Sequence, residues 1–347
     1  MFRKIYKDAA VANDLRVRFS SATKAKGSIT LEDGRQHRFA SNDPGLNSRS
    51  SVQLAKDKYR CGEALSAAGV SVPKTIILPG LSKIDQEDPE RNAQLESMIQ
   101  QSVKLLVDQV GFPLFIKPNT GSEGRGVYRA DDKDSLSKII RRSRRSHDQV
   151  LVQEASSGQE YRVVVLGGKV IMAYQKVPLG LIGDGTSTIG ELLDTQIYQL
   201  KKTRKLRLQA ASPKIDFTLT SLGYSRESIL EMGKLIYPIP SANLAQGANP
   251  IDKMDFIRSR YADVCERIAK ALKIKFMGID LMVNEKENSY HVIEVNSKPG
   301  FGKYAGQSPE HKRRVAEIYE ACIYFANTGH VPEHLAAVPQ YALKLAA

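Results

Sequence analysis

Three oxygen-bearing side chains, Asp280, Glu294 and Asn296, have the types and spacing to hold a metal ion. Asp280 lies in G-I-D-L-M-V, Gly278–Val283, and the other two lie in H-V-I-E-V-N-S-K-P-G-F-G, His291–Gly302. Each stretch begins as a short apolar strand, and the polar segment Asn284–Ser289 between them predicts a hairpin. Side chains alternate along a strand, so Glu294 and Asn296 share one face among the apolar Val292, Ile293 and Val295. Antiparallel pairing would bring Asp280 across from that face. Carboxylates inside an apolar sheet are costly unless paired or metal-bound, and a hard cation such as Mg²⁺ is the natural occupant. The same pattern equally describes solvent-facing residues of an edge hairpin.

A second stretch with chemical potential is F-I-K-P-N-T-G-S-E-G-R-G-V, Phe115–Val127. A lysine ends an apolar strand, and Gly121, Gly124 and Gly126 then loop into another strand. Glycines let backbone N–H groups turn inward toward phosphate oxygens, and Lys117 adds a mobile point charge for the same oxygens. No G-K-[ST] opens a helix here, so this is not a Walker loop. An ordinary glycine-rich hairpin is the alternative.

Downstream, Leu151–Glu154 is an apolar strand ending in a polar pair, suited to offering backbone groups to a purine edge. Glu160 has the carboxylate to accept two ribose hydroxyls side by side. Arg162 and Lys176 fall on the next two strands at alternating positions, and two cations on one face suit an acyl or phosphoryl oxyanion. Taken singly, each also reads as a surface strand charge.

Alternating strands and helices must position these groups. Apolar periodicity predicts helices over Ser51–Ala68, Ala93–Val110, Lys133–Arg144, Ile189–Leu200, Asp255–Leu272 and Pro309–Asn327. Strands are predicted at Ser28–Leu31 and Gln36–Phe39 around an Asp-Gly turn, and at Ser71–Leu78, Leu114–Lys117, Gly126–Arg129 and Gln149–Glu154. Glu160–Leu166 and Lys169–Lys176 form a further hairpin through Gly167-Gly168, and Thr188 reads as the N-cap of the helix that follows it. The rest of 177–252 reads as irregular. The pattern argues an α+β or α/β architecture, and 347 residues are enough for two or three packed units.

Fifty-one Lys and Arg against 38 Asp and Glu give a net charge of +13, which favours anionic partners. The run Arg141-Arg142-Ser143-Arg144-Arg145 reads as a solvated helix end, with a docking patch for a polyanion as the alternative. No nucleic-acid motif accompanies it, there is no tryptophan, and the aromatics do not interleave with the basic run as base stacking requires. No apolar run reaches a membrane span and no apolar signal segment opens the chain. Cys61, Cys265 and Cys322 are odd in number and without metal-ligand spacing, which suits a reducing, cytoplasmic setting.

Taken in order, these stretches resemble the ATP-grasp carboxylate–amine ligases, in particular the ATP-grasp modules of cyanophycin synthetases and bifunctional glutathione synthetases. The resemblance runs from about Ala55 to Gly302. It begins with A-K-D-K and the G-V-x-V-P of Gly69–Pro73, and continues through I-K-P with its glycine loop, Q-E with E-Y-R, K-V-P with G-D-G-T-S-T, and A-N-L. It closes on G-I-D-L and I-E-V-N-x-x-P-G. No one of these motifs is specific, but seven in succession are.

The resemblance implies an ATP-grasp fold, with two α/β subdomains gripping ATP between antiparallel sheets. By this reading 1–52 is a short N-terminal domain, 53–155 the lid subdomain, 156–327 the C-terminal subdomain with the metal site, and 328–347 a tail. It also implies roles. Lys58 and Lys117 are the nucleotide lysines, Gly121, Gly124 and Gly126 belong to the loop over the triphosphate, and Ser122 donates to it. Glu154 takes the adenine-strap position and Glu160 the ribose. Asp280, Glu294 and Asn296 become ligands of Mg²⁺, or of Mn²⁺ in its place. Arg162, Lys176 and Asn243 face the acyl phosphate and the acceptor. The reaction implied is ATP-dependent activation of a carboxylate to an acyl phosphate and attack by an amine, on small amino-acid or peptide substrates, acidic ones included. Relatives are often dimers or tetramers, so a homo-oligomer is expected.

The chain also departs from the pattern. Relatives carry arginine where Ile239 stands, S-T-G-G where Ala245–Ala248 stand, and commonly arginine in place of Lys176. Lysine lacks the bidentate fork of arginine, so the substrate carboxylate is expected to be held differently, and neither glutathione nor cyanophycin synthesis is assigned. The companion catalytic domain of both relatives is not in the sequence, which suggests a stand-alone ligase. A ligase acting on a protein or peptide tail, and a nucleotide binder without turnover, are the alternatives.

Overall fold

The computed structural model describes residues 1–81, 88–121, 124–204, 206, 208–209, 211–239 and 242–336. These pack into two compact units, each built from non-contiguous segments. The first comprises residues 1–46, 159–262 and the chain from Lys298 on, and the second comprises 47–158 and 263–297.

The first unit opens with helix α1 (Phe2–Ala12), absent from the sequence-based reading, followed by the antiparallel strands β1 (Arg16–Phe19), β2 (Lys26–Thr30) and β3 (Gln36–Ala40). The predicted Asp-Gly hairpin is β2–β3. Helix α1 buries Ile5, Tyr6, Ala9 and Ala10 on one stripe, and Tyr6 stacks on Phe39 at 3.9 Å.

The second unit begins with α2 (Arg49–Lys56) and α3 (Lys58–Ala67), where the pattern predicts one helix. Asp57 causes the break: extended at φ −83 and ψ 97, it caps α3 by accepting from Arg60 N. Strands β4 (Thr75–Pro79), β5 (Leu114–Pro118), β6 (Tyr128–Ala130) and β7 (Gln149–Glu154) form a sheet in the order β4-β7-β5-β6, its pairings antiparallel. Helices α4 (Pro89–Val110) and α5 (Lys133–Ser146) cover it, enclosing Leu78, Leu114, Ile116, Val150 and Val152 under Ile99, Leu106, Leu136 and Ile140.

The basic run at the end of α5 is not wholly solvated. Arg144 follows Ile140 by one helical turn on the buried face and is 5% exposed. It makes a bidentate pair with Glu96 of α4 at 2.9 and 2.6 Å and donates from Nε to Pro79 O at 2.8 Å.

The first unit resumes with β8 (Gln159–Leu166) and β9 (Lys169–Val177), joined as predicted through Gly167 and Gly168, both at positive φ. Next come β10 (Leu179–Ile182), α6 (Ile189–Thr203), α7 (Pro213–Ser221), β11 (Leu235–Ile239), β12 (Asn249–Asp252) and α8 (Met254–Leu272). Segment 177–252, expected to be irregular outside the helix at Ile189–Leu200, thus also carries β10, α7, β11 and β12 among its described residues. Strand β10 pairs with β11 across nearly sixty residues, and β12 with β9. Thr188 caps α6 in a reciprocal box with Glu191. The chain returns to the second unit within α8, at Asp263, and strands β13 (Phe276–Asn284) and β14 (Ser289–Asn296) follow there; α9 (Gly302–Ala305), α10 (Pro309–Thr328) and α11 (Glu333–Ala336) belong to the first.

Candidate active site

The hairpin β13–β14 pairs antiparallel, with Asp280 opposite Glu294 and Gly278 opposite Asn296. Directly opposed residues point to the same face, as do residues two apart, so Asp280, Glu294 and Asn296 share one face as the sequence pattern requires. The register then slips. Leu281 pairs with Val292, leaving Ile293 as an extra residue beside Glu294, a bulge of the kind that aims a side chain out of a regular ladder.

Asp280 is 8% exposed, and the Glu294 side chain 26%. Like charges directly across a ladder repel, so this pair calls for positive charge beside it. Part comes from Lys58, whose Nζ lies 3.6 Å from Glu294 Oε1. Among the described residues no three His, Cys, Asp or Glu side chains cluster as a metal site. The set is instead two carboxylates and an amide oxygen, all hard donors. That suits Mg²⁺, which takes one or two carboxylates and completes its shell with phosphate oxygens and water.

The lysines reach this neighbourhood from separate elements of the same unit. Lys117, near the end of β5, is 7% exposed and donates to Gln153 Oε1 at 2.7 Å, while Gln153 Nε2 donates to Thr75 Oγ1 at 2.8 Å. Burial lowers the Lys117 ammonium from 10.5 to about 8; Glu294 and Asp280 oppose that fall and Lys58 adds to it. Lys58, the first residue of α3, donates from Nζ to Gly121 O at 2.8 Å, at the start of the glycine loop. Gly121, Gly124 and Gly126 sit at φ +138, +69 and +71, where side chains are strained. Ser122 lies outside the described residues.

Asn119 ties loop and helix together, and the sequence reading did not single it out. It is 1% exposed. Its Nδ2 donates to Asp57 Oδ1 and Gln149 Oε1, and its Oδ1 accepts from Tyr59 N at 2.9 Å. Its backbone O accepts from Lys58 N at 3.2 Å. The only sequence signal was its place directly after Lys117-Pro118, where it passes for a turn residue.

Glu154 ends β7, accepts from Lys74 N through Oε2 at 2.9 Å and returns its own N–H to Lys74 O. The remaining residues singled out from sequence belong to the first unit. Lys176 forms an ion pair with Glu160, both partly buried. Arg162 stands opposite Tyr174, whose ring stacks on Tyr304 at 4.8 Å, so Glu160, Arg162 and Lys176 occupy one sheet face. Asn243 accepts from Ala245 N and caps a short 3-10 turn, Leu244–Gln246. Ile239 pairs with Leu179 and is 7% exposed, packed in an apolar cluster with Leu181, Leu193 and Ile236.

Residues 55–184 match the RimK-like ATP-grasp domain. The structure has an ATP-grasp fold, and the chain is similar in sequence to cyanophycin synthetase and to bifunctional glutathione synthetase. It is 28% identical over 312 residues to the cyanophycin synthetase of Crocosphaera subtropica, covering 85% of this chain and 33% of that protein. It is 24% identical over 297 residues to the glutathione biosynthesis bifunctional protein of Desulfotalea psychrophila, covering 82% and 36%. A crystal structure of the bifunctional glutathione synthetase from Pasteurella multocida shares the fold at a TM-score of 0.57 and 18% identity, over 88% of this chain and 40% of that one. The chain thus spans about a third of the length of the curated relatives it matches.

Proposed function

We propose that the protein is an ATP-dependent ligase that joins an amino-acid or peptide carboxylate to an amine through an acyl phosphate, releasing ADP and phosphate. The observation that carries this reading is the gathering of Lys58, Lys117, Asp280 and Glu294 at one face of the β13–β14 hairpin, with the glycine loop tied to Lys58.

In this reading Lys117 and Lys58 bind triphosphate oxygens, and backbone N–H groups of the glycine loop cover them. Lys117 is buried and keeps its ammonium beside an uncharged amide, so its charge is available to the phosphates. Glu154 takes the adenine-strap position and Glu160 accepts the ribose hydroxyls. Asp280, Glu294 and Asn296 would hold Mg²⁺ or Mn²⁺, which when bound supplies charge neutralisation on the transferring phosphoryl group. Arg162, Lys176 and Asn243 face the activated carboxylate and the acceptor. Glu160 holds Lys176 until a ligand competes for both. The chain's excess of positive charge favours acidic substrates.

The test is ADP and phosphate release from ATP and Mg²⁺ with pools of amino acids and dipeptides. Silence across every pool, with ATP still bound, would sink the ligase reading. Glu294→Gln should lower turnover at least a hundredfold with an unchanged circular dichroism spectrum. An unchanged rate would remove Glu294 from the metal site.

A further inference from the structure

Asn47 carries four hydrogen bonds on one carboxamide. Oδ1 accepts from Lys275 N at 2.9 Å and Phe276 N at 3.0 Å. Nδ2 donates to Phe276 O at 2.6 Å and Ser297 O at 2.9 Å. These acceptors and donors lie where the β13–β14 ladder runs out. The last rung is Gly278 opposite Asn296, after which the chain turns away through Ser297, Lys298 and Pro299. The Asn47 amide therefore takes the place of the missing strand, satisfying both backbone groups of Phe276 and bridging to Ser297. A carboxamide is suited to this, because it combines two donors with an oxygen that accepts twice.

Asn296 sits between these restraints. Val295, before it, is fixed by the rung to Ile279; Ser297, after it, is fixed by Asn47. We propose that Asn47 is a positioning residue for the metal site: it clamps the backbone beside Asn296, and so holds the amide ligand on the face it shares with Asp280 and Glu294. This rests on the reading of those three as Mg²⁺ ligands. Residues that orient metal ligands without touching the ion typically change metal affinity by about 10- to 100-fold when replaced.

The experiment titrates Mn²⁺ by electron paramagnetic resonance against the full chain with a non-hydrolysable ATP analogue. Asn47→Ala and the milder Asn47→Ser should each raise the Mn²⁺ dissociation constant about tenfold or more; Asn47→Ser carries the test if the alanine variant does not fold. Ser51→Ala is the control. It cuts a tether from the start of α2 to Lys273 O, a 2.7 Å bond that does not reach β14. It should lower the thermal midpoint and leave Mn²⁺ affinity unchanged. Asn47 variants that bind Mn²⁺ within twofold of wild type overturn the proposal, as does a Ser51→Ala variant that weakens Mn²⁺ equally. If wild type and Glu294→Gln bind Mn²⁺ alike, the metal reading itself falls, a failure distinct from that of Asn47.

Discussion

Replacing Lys117 with methionine should make the protein more stable and worse at holding nucleotide. Lys117 is 7% exposed, and burial lowers its ammonium from 10.5 to about 8. At about 1.4 kcal/mol for each tenfold change in proton affinity, keeping the charge in the fold costs roughly 3 kcal/mol at pH 7. Methionine has a similar length and no charge to desolvate. Against that gain, Gln153 Oε1 loses its donor, at about 1–2 kcal/mol. Lys117→Met should therefore gain about 1–2 kcal/mol in urea unfolding at pH 7. The sign of the pH dependence follows from proton binding. Between about pH 8 and 10.5 the unfolded chain holds a proton that the fold has released, so wild-type stability rises with pH through that window. The advantage of the variant should shrink by pH 10. Nucleotide affinity should fall about 10- to 100-fold, the worth of a charge-assisted bond to phosphate. A variant no more stable than wild type at pH 7, or equally tight for ATP, would refute the reasoning.

Two further outcomes concern the scaffold. Arg144→Ala should cost about 2 kcal/mol, the worth of its charge-assisted bonds to Glu96, because Glu96, at 38% exposed, can rehydrate once released. The Arg144 hydrogen bond holds the Glu96 carboxyl below its usual value, so this stability is complete above about pH 4.5 and lost as pH falls through the folded value; the gap between wild type and variant in urea should close on acidification. Gly158→Ala should lower stability by about 3 kcal/mol in the same assay, since a Cβ there would lie 2.1 Å from Val283 O on a backbone at φ +120.

The hairpins were legible because their signals are local. Alternation placed Glu294 and Asn296 on one face, and Gly167-Gly168 marked a tight turn. The segment 177–252 hid its strands for the opposite reason: β10, β11 and β12 are four or five residues long and exist through partners far along the chain, as Leu179 does through Ile239. The α2–α3 break was readable in principle from Asp57, a good N-cap, but apolar spacing continues across it. Arg144 follows Ile140 by four residues, so it shares the buried face of α5, but its charge within a basic run points to solvent. Ile239 was singled out for its departure from the relatives, and its burial in an apolar cluster explains why no charge stands there.

The supports around the site share a chemistry. Asn47 and Asn119, which sequence reading missed, and Gln153, read there only for its backbone, are neutral carboxamides, and each fixes backbone or charged groups around the lysines and carboxylates. A carboxylate at position 153 would also hold Lys117, but would neutralise it and spend on an internal pair the charge a triphosphate needs. An amide orients the ammonium with a single accepted bond and adds no negative charge to that of Glu294 and Asp280. The same holds at Asn119, which bridges Asp57 and Gln149 beside Lys58 without adding to the charge on either side. Uncharged supports around charged groups are what a site requires if its electrostatics are to be completed by the ligand.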